Sequence, residues 1–324
     1  MTYDPFARGS HPVGVRTLHL RRDGRALPVE VWYPAAAAHA GADLADATRD
    51  AYTLIPGFPV LRQDAVRDAA PEPGRRPLVV FSHGYVVAAL DHTGNTVLDV
   101  AHAVLAARTG GPRTDATAVL REFIVARPED VRFTIDELLA GDLSALVDAE
   151  RIGMTGHSFG GWTTLTVTAR DRRIRAALPL APAGGATPLP VNPLREAVDF
   201  RWEREVPTLF VVAERDTLLP LDGMHELLAR TPSARKRMVV LRNADHMHFC
   251  DRVEEVHELF RLMPHDPLFR EYQAAIPPID ELCPGEHGYL TVRGLGLAHM
   301  DAHVRDDERA AAFLAGDLEG RAGA

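Results

Sequence analysis

Arg151-Ile152-Gly153-Met154-Thr155-Gly156-His157-Ser158-Phe159-Gly160-Gly161 is a strand-forming run that breaks at a serine flanked by glycines, and the helix-forming stretch Trp162 to Arg170 follows it. Strand, sharp turn and helix around G-x-S-x-G is the pattern of a nucleophile elbow. Small residues are needed on both sides of the serine because the backbone bends so tightly that the hydroxyl stands clear of the sheet. The following helix then directs its first N–H groups at developing negative charge. With five serines and 25 glycines in 324 residues, about 0.03 matches to the pattern are expected by chance, before strand and helix are required around it. The bland alternative is a glycine-rich turn carrying an idle serine.

A serine hydroxyl needs a base, and in a sheet of this kind the acid and then the histidine follow it along the chain. Thr208-Leu209-Phe210-Val211-Val212-Ala213 reads as an apolar strand, and Glu214-Arg215-Asp216 comes directly after it. A carboxylate is thereby placed at the carboxyl end of a strand, where sites form in open α/β sheets. Asp216 is the candidate acid and Glu214 its rival; the structural alternative is that Asp216 caps the helix beginning near Pro220. Met238-Val239-Val240-Leu241 is a further strand, leading into Asp245-His246-Met247-His248 and two candidate bases. The chain holds 15 histidines, so position after the last strand singles this pair out. Asp245, His246, His248, Cys250 and Asp251 also crowd nitrogen, sulfur and oxygen donors together, but no second ligand pair at metal-site spacing accompanies them.

Outward from the elbow, strand and helix alternate, which predicts a mostly parallel sheet. Ahead of it, His11 to Leu20 and Ala26 to Tyr33 flank Asp23-Gly24 as an antiparallel hairpin. Ala35 to Arg76 shows no period and reads as a surface excursion with a short helical turn series. Leu78 to Phe81 is a short buried strand. Helices are expected over Thr96 to Arg108 and Asp115 to Ala126, and a third over Arg127 to Ala140, started by Pro128. Trp162 reads as core packing, and 182–193 with Phe200 to Trp202 as candidate pocket walls. The organisation expected is one domain over 1–324, with 260–324 a helical and loop extension packed on it and the helical pattern Asp306 to Leu318 near its end. His299 and His303, four apart, read as a solvated pair on one helix face.

Composition narrows the function classes. Lys and Arg number 36 against 45 Asp and Glu, a formal charge of −9 with pI ≈ 5.9, which excludes a basic nucleic-acid footprint. No run approaches the ~18 apolar residues of a membrane span, and Met1 to Leu20 lacks the apolar core of a secretory signal. Cys250 and Cys283 fit neither a zinc knuckle nor a redox CxxC pair, so a cytoplasmic protein is expected.

Asp4-Pro5-Phe6, Val31-Trp32-Tyr33-Pro34, Phe81-Ser82-His83-Gly84-Tyr85, the elbow, Glu214-Arg215-Asp216 and Asp245-His246-Met247-His248-Phe249 together resemble the platelet-activating-factor acetylhydrolase-like and dienelactone-hydrolase-like α/β-hydrolases. The likeness runs from the first residues to about Cys250. It implies an α/β-hydrolase fold with helices on both faces of the sheet, Ser158 as nucleophile, Asp216 as acid and His246 as base, with His248 the lesser candidate. It also implies an oxyanion hole from the backbone N–H groups of Phe159 and Tyr85. Dienelactone hydrolases proper carry cysteine at the elbow, so their substrate is not implied. One departure stands out: in such proteins a loop, a helix and a further strand separate Ser-His-Gly from the next Asp-His, whereas here Ser82-His83-Gly84 runs straight into Val86 to Leu90 and Asp91-His92. A strand–helix unit is missing near Gly84. Parallel neighbours ordinarily need a dozen or more linking residues, so the two runs are not expected to pair in parallel. Either the chain bends at Gly84 and keeps Tyr85 beside the elbow, or Val86 to Leu90 takes the strand position and Asp91-His92 reaches the site. The activity implied is hydrolysis of a small-molecule ester through an acyl-enzyme, with no cofactor and no metal; the alternative is a catalytically silent relative that binds a ligand or partner in the same pocket.

Overall fold

Ten residue pairs, from Val13↔Pro34 to Arg22↔Arg25, join β1 (Val13–Arg22) to β2 (Arg25–Pro34) antiparallel. Asp23 and Gly24 both have positive φ, 51° and 79°, which is what a two-residue hairpin turn of matching twist requires. Leu27, Val29, Val31 and Tyr33 alternate into the core, so the period of two sets the register. The computed structural model describes residues 3–53, 60–81, 86–92, 116–187, 192–262 and 270–318. They fall into two units, an N-terminal one of Arg8–Ile152 and a C-terminal one of Met1–Ala7 with Gly153–Ala324.

In the N-terminal unit, the stretch expected to be a surface excursion contains, besides two short 3-10 turns, the strands β3 (Arg49–Tyr52) and β4 (Leu61–Arg67). The pairing is secured by charge, and apolar alternation has little part in it. Arg49 reaches Asp64 at 2.6 Å, and Arg67 bridges Glu30 at 2.9 Å and Asp50 at 2.5 Å.

β5 (Arg76–Val80) and β6 (Val86–Leu90) overturn a second expectation: they are parallel neighbours, paired at Leu78↔Val86 and Val79↔Val87. The dozen-residue rule assumes that the chain must retrace a whole strand. Here the overlap is two pairs, so the link must retreat only about 7 Å and step across about 4.8 Å, within reach of five residues at ~3.3–3.6 Å each. The reversal starts at Phe81, whose φ is 86°. On its other side β6 pairs antiparallel with β2, and the order across the unit is β5-β6-β2-β1-β4-β3. Ser82, His83, Gly84, Tyr85 and the predicted helix Thr96 to Arg108 lie outside the described residues.

A single helix, α1 (Ala116–Ala140), replaces the two helices expected to meet at Pro128. Proline removes one hydrogen bond of the ladder, but Val131, Ile135 and Leu138 bury one continuous stripe beyond it. Asp130, fully buried, holds Arg25 at 2.5 Å, Arg22 at 3.1 Å and His92 at 3.2 Å. His92 is thus committed to a cluster around Asp130 inside this unit.

β7 (Val147–His157) carries the chain into the C-terminal unit, followed by α2 (Phe159–Arg170), β8 (Ile174–Leu180), α3 (Pro193–Ala197), β9 (Thr208–Ala213), α4 (Leu221–Arg230) and β10 (Lys236–Leu241). The order is β10-β9-β8-β7, with β8, β9 and β10 parallel. Every residue of β9 is buried, as both faces of a central parallel strand require. The last part of the chain adds α5 (Val253–Leu262), α6 (Arg270–Ala275), α7 (Gly285–Val304) and α8 (Glu308–Ala315). The helix face expected for His299 and His303 belongs to the 20-residue α7, whose bounds the sequence did not show. Its glycines are points of close approach: a Cβ on Gly294 would lie 2.1 Å from the Phe6 ring, and one on Gly288 2.1 Å from the His248 carbonyl. The pair on α7 is not solvated as expected. His299 is 3% exposed, its ring 4.9 Å from that of His303, and burial pushes it down to about 3, so it stays neutral. No helix among the described residues is long and apolar enough to cross a membrane.

Candidate active site

Ser158 sits between β7 and α2 with φ 58° and ψ −117°, outside the usual basins for a residue with a side chain. The strain is held from three sides. Ser158 N–H donates to the Leu180 carbonyl at 2.9 Å, and the Ser158 carbonyl accepts from Trp162 N at 3.1 Å and Ala183 N at 2.9 Å. Trp162 is fully buried and donates through Nε1 to the Leu194 carbonyl at 2.9 Å, so it packs the elbow's helix into the core.

Asp216 follows β9. Its Oδ1 accepts the N–H groups of Leu218 at 2.9 Å and Leu219 at 2.8 Å, which fixes the carboxylate in the turn before α4. Its Oδ2 lies 2.7 Å from His246 Nδ1, and His246 Nε2 lies 3.0 Å from Ser158 Oγ. Asp216 therefore serves the turn with one oxygen and the imidazole with the other. With Nδ1–H donating to the carboxylate, the lone pair on Nε2 faces the serine hydroxyl. Burial works to push His246 down, but the charge and hydrogen bond of Asp216 outweigh it, and the net shift is upward.

The rival residues are engaged elsewhere. Glu214 accepts the Asn243 N–H at 2.7 Å. His248 takes the Asp245 N–H on Nδ1 at 3.0 Å and donates from Nε2 to the Cys283 carbonyl at 2.9 Å; burial keeps it below its ordinary value. Cys250 and Cys283 are free thiols, and burial pushes Cys250 up to about 12. Phe159 opens α2 directly after the serine. Tyr85 lies outside the described residues.

Three neighbours of the base complete its surroundings; the sequence reading named Asp245 only as a candidate metal donor and gave His157 and His257 no role. The ring of His157, inside the elbow, lies 4.5 Å from that of His246 and is held well below the usual histidine range by burial and then by the His246 charge. Asp245 is buried directly before the base, and its carboxyl is raised first by burial and then by the charge of Asp216. His257, fully buried on α5, brings Nδ1 to 3.7 Å from Asp245 and donates Nε2–H to the Pro277 carbonyl at 2.9 Å. The i, i+4 pattern of α5 marks His257 as inward-facing, but nothing in the sequence names its partner.

The family profile described as "PETase: PET hydrolase-like" matches residues 74–260, which include the elbow, Asp216 and His246. The chain belongs to the PET hydrolase-like family. Cutinase est1 of Thermobifida alba is 28% identical over 52% of this chain and 46% of its own length. The bis(hydroxyethyl) terephthalate hydrolase of Streptomyces coelicolor is 33% identical over 31% of this chain and 29% of its own length. The match thus spans half or less of these relatives. A solved structure of the ferulic acid esterase from Streptomyces cinnamoneus superposes with a TM-score of 0.61 at 25% identity, covering 92% of both chains. A puromycin-hydrolyzing peptidase of Mycobacterium tuberculosis, at 16% identity and TM-score 0.51 over 90% of this chain and 39% of its own, shares the fold. This PET hydrolase-like chain accordingly has the α/β-hydrolase fold, and the resemblance to acetylhydrolases extends to a platelet-activating factor acetylhydrolase of Canis lupus familiaris, 25% identical over 38% of this chain and 24% of its own.

Proposed function

We propose that the chain hydrolyses carboxylic esters through an acyl-enzyme, with Ser158 as nucleophile, His246 as base and Asp216 as the acid that orients it. The observation that carries the reading is the unbroken chain of contacts from Ser158 Oγ through the His246 ring to Asp216, 3.0 and 2.7 Å long. In the first step Nε2 takes the serine proton as Oγ bonds to the ester carbonyl carbon, and the resulting imidazolium returns that proton to the departing alkoxide. In the second, Nε2 takes a proton from water as the water oxygen attacks the acyl carbon, and Ser158 leaves with the proton restored. Ester plus water gives acid plus alcohol, and the enzyme is unchanged. The Phe159 N–H at the start of α2 and the Tyr85 N–H are the proposed donors to the oxyanion.

Relatives named for cutin, terephthalate and ferulate esters support esters of carboxylic acids as the substrate class, as small molecules. Cytoplasmic residence is part of the same reading, consistent with two free thiols. The test is labelling with a fluorophosphonate probe, alongside turnover of p-nitrophenyl acetate and bis(hydroxyethyl) terephthalate. Labelling and turnover that vanish together in Ser158→Ala are expected. Turnover retained by that variant overturns the assignment, and wild-type protein that neither labels nor turns over favours the silent binding relative.

A further inference from the structure

The proposed triad occupies the carboxyl ends of β7, β9 and β10. At the opposite, amino ends of β8, β9 and β10 a cavity of about 340 Å³ opens between Arg175, Pro207, Arg235 and the last turn of α7. A strand of six residues separates the two edges by about 20 Å. Four arginines from three places in the chain converge there, Arg172 and Arg175 beside the start of β8, Arg204, and Arg235, together with His303. Two carboxylates share the lining, and both are occupied: Glu205 accepts from the Ser233 hydroxyl and the Ala234 N–H, and Asp306 faces Arg175 at 3.4 Å.

The arginines are unequal. Arg204 is fixed by three backbone carbonyls, donating from Nη1 to Thr168 at 3.1 Å and from Nη2 to Asp171 and Ile174 at 2.8 Å each. The guanidinium thereby neutralises the carbonyl end of α2, and it makes no side-chain ion pair among the described residues. Arg172 reaches the exposed Glu203 outside the cavity, and Arg235 makes no side-chain ion pair among the described residues. Positive groups therefore crowd one another in a chain whose formal charge is −9. The crowding is felt: besides burial, Arg204 is held down by Arg172 against the pull of Asp171, and His303 by Arg235 and Arg237 against that of Asp306.

We propose that this cavity is a binding site for a small multivalent oxyanion, a phosphate or polycarboxylate group received by Arg172 and Arg235 with the fixed charge of Arg204 behind them, separate from the ester-hydrolysing edge. Planar guanidinium forks match such oxygens bidentately. The volume exceeds that of a bare phosphate ion and leaves room for the molecule carrying the anionic group.

The test is calorimetric titration and thermal unfolding of the full chain with inorganic phosphate and with citrate, against sodium chloride at matched ionic strength. Binding of phosphate or citrate with a raised unfolding midpoint, absent with chloride, is expected; the tighter of the two assigns the head group. Arg172→Gln/Arg235→Gln should weaken that binding at least about tenfold, since each lost charge-assisted contact is substantial, and should leave ester turnover unchanged. Asp306→Asn should tighten it by removing a negative charge from the lining; the residue has φ 57°, which asparagine adopts readily. Neither anion distinguished from chloride, or equal affinity in wild type and both variants, overturns the proposal. Should the double variant fail to fold, Asp306→Asn decides it alone.

Discussion

The rings of His157 and His246 lie 4.5 Å apart at an interplanar angle of 40°, so the residue before the serine buttresses the proposed base. Its Nδ1 also lies 3.9 Å from the Cys250 Sγ. A His157→Ala variant should lose about 10–100-fold in kcat/KM by letting the base rotate, and His157→Phe should restore most of it by refilling the space. Parallel melting curves separate positioning from stability: an alanine variant with normal kcat/KM and a lowered melting point would assign His157 to packing alone.

The raised pKa of His246 sets a pH dependence. The base acts neutral, so kcat/KM should rise with pH through a value above the ordinary ~6.5 of histidine. Stability runs the other way. The favourable pairing of the imidazolium with Asp216 contributes in full below ~6.5 and is lost as pH rises through the raised value. In Asp216→Asn burial is opposed only by the charge of Asp245, so the acid limb should move to lower pH while the rate falls about 10³–10⁴-fold. A pH–rate profile of both proteins checks the direction.

The three glycines around the serine should not respond alike. A Cβ at Gly156 would lie 2.6 Å from the backbone of Gly160, and one at Gly161 2.7 Å from Pro182 Cα, while one at Gly160 meets nothing within 4 Å. Gly156→Ala and Gly161→Ala should each cost about 1–3 kcal/mol and most of the activity. Gly160→Ala should be neutral or stabilising by up to about 1 kcal/mol, as a better helix former in the first turn of α2. Thermal unfolding with an ester assay distinguishes the two classes.

In the N-terminal unit, Asp130 is the test of structural charge. Burial alone would raise its carboxyl, but hydrogen bonds from His92 and Arg25 bring it below the usual range. Its contribution is therefore present above ~3.9 and lost as pH falls through the lowered value. Asp130→Ala should destabilise by about 2–4 kcal/mol, since it strands Arg22, Arg25 and His92 together. Urea unfolding at pH 7 and at acid pH should show the gap between variant and wild type narrowing on acidification.

What the sequence disclosed was local or ordered along the chain. Asp23-Gly24 announces its hairpin because positive φ at two successive residues has few chemical solutions. The strand–serine–helix succession places Ser158, and the order of acid and histidine narrows the rest to pairs, Asp216 or Glu214 and His246 or His248. Choosing within each pair needs distance, which spacing along the chain does not encode. The misses share a cause in tertiary packing. Pro128 looks like a boundary until the buried stripe from Val131 to Leu138 is seen to carry the helix through it. β4 looks like a loop because Arg67 and Asp64 hold it with partners far away in sequence.

The five-residue link between β5 and β6 has a kinetic consequence. Parallel pairing is ordinarily slow because a long crossover must be ordered before any contact rewards it. With Leu78 meeting Val86 only eight positions on, that entropic toll shrinks to the scale of a hairpin, for which closure takes microseconds. This pair and the β1–β2 ribbon can both nucleate locally, which would let the N-terminal unit gain structure early as the chain emerges during synthesis.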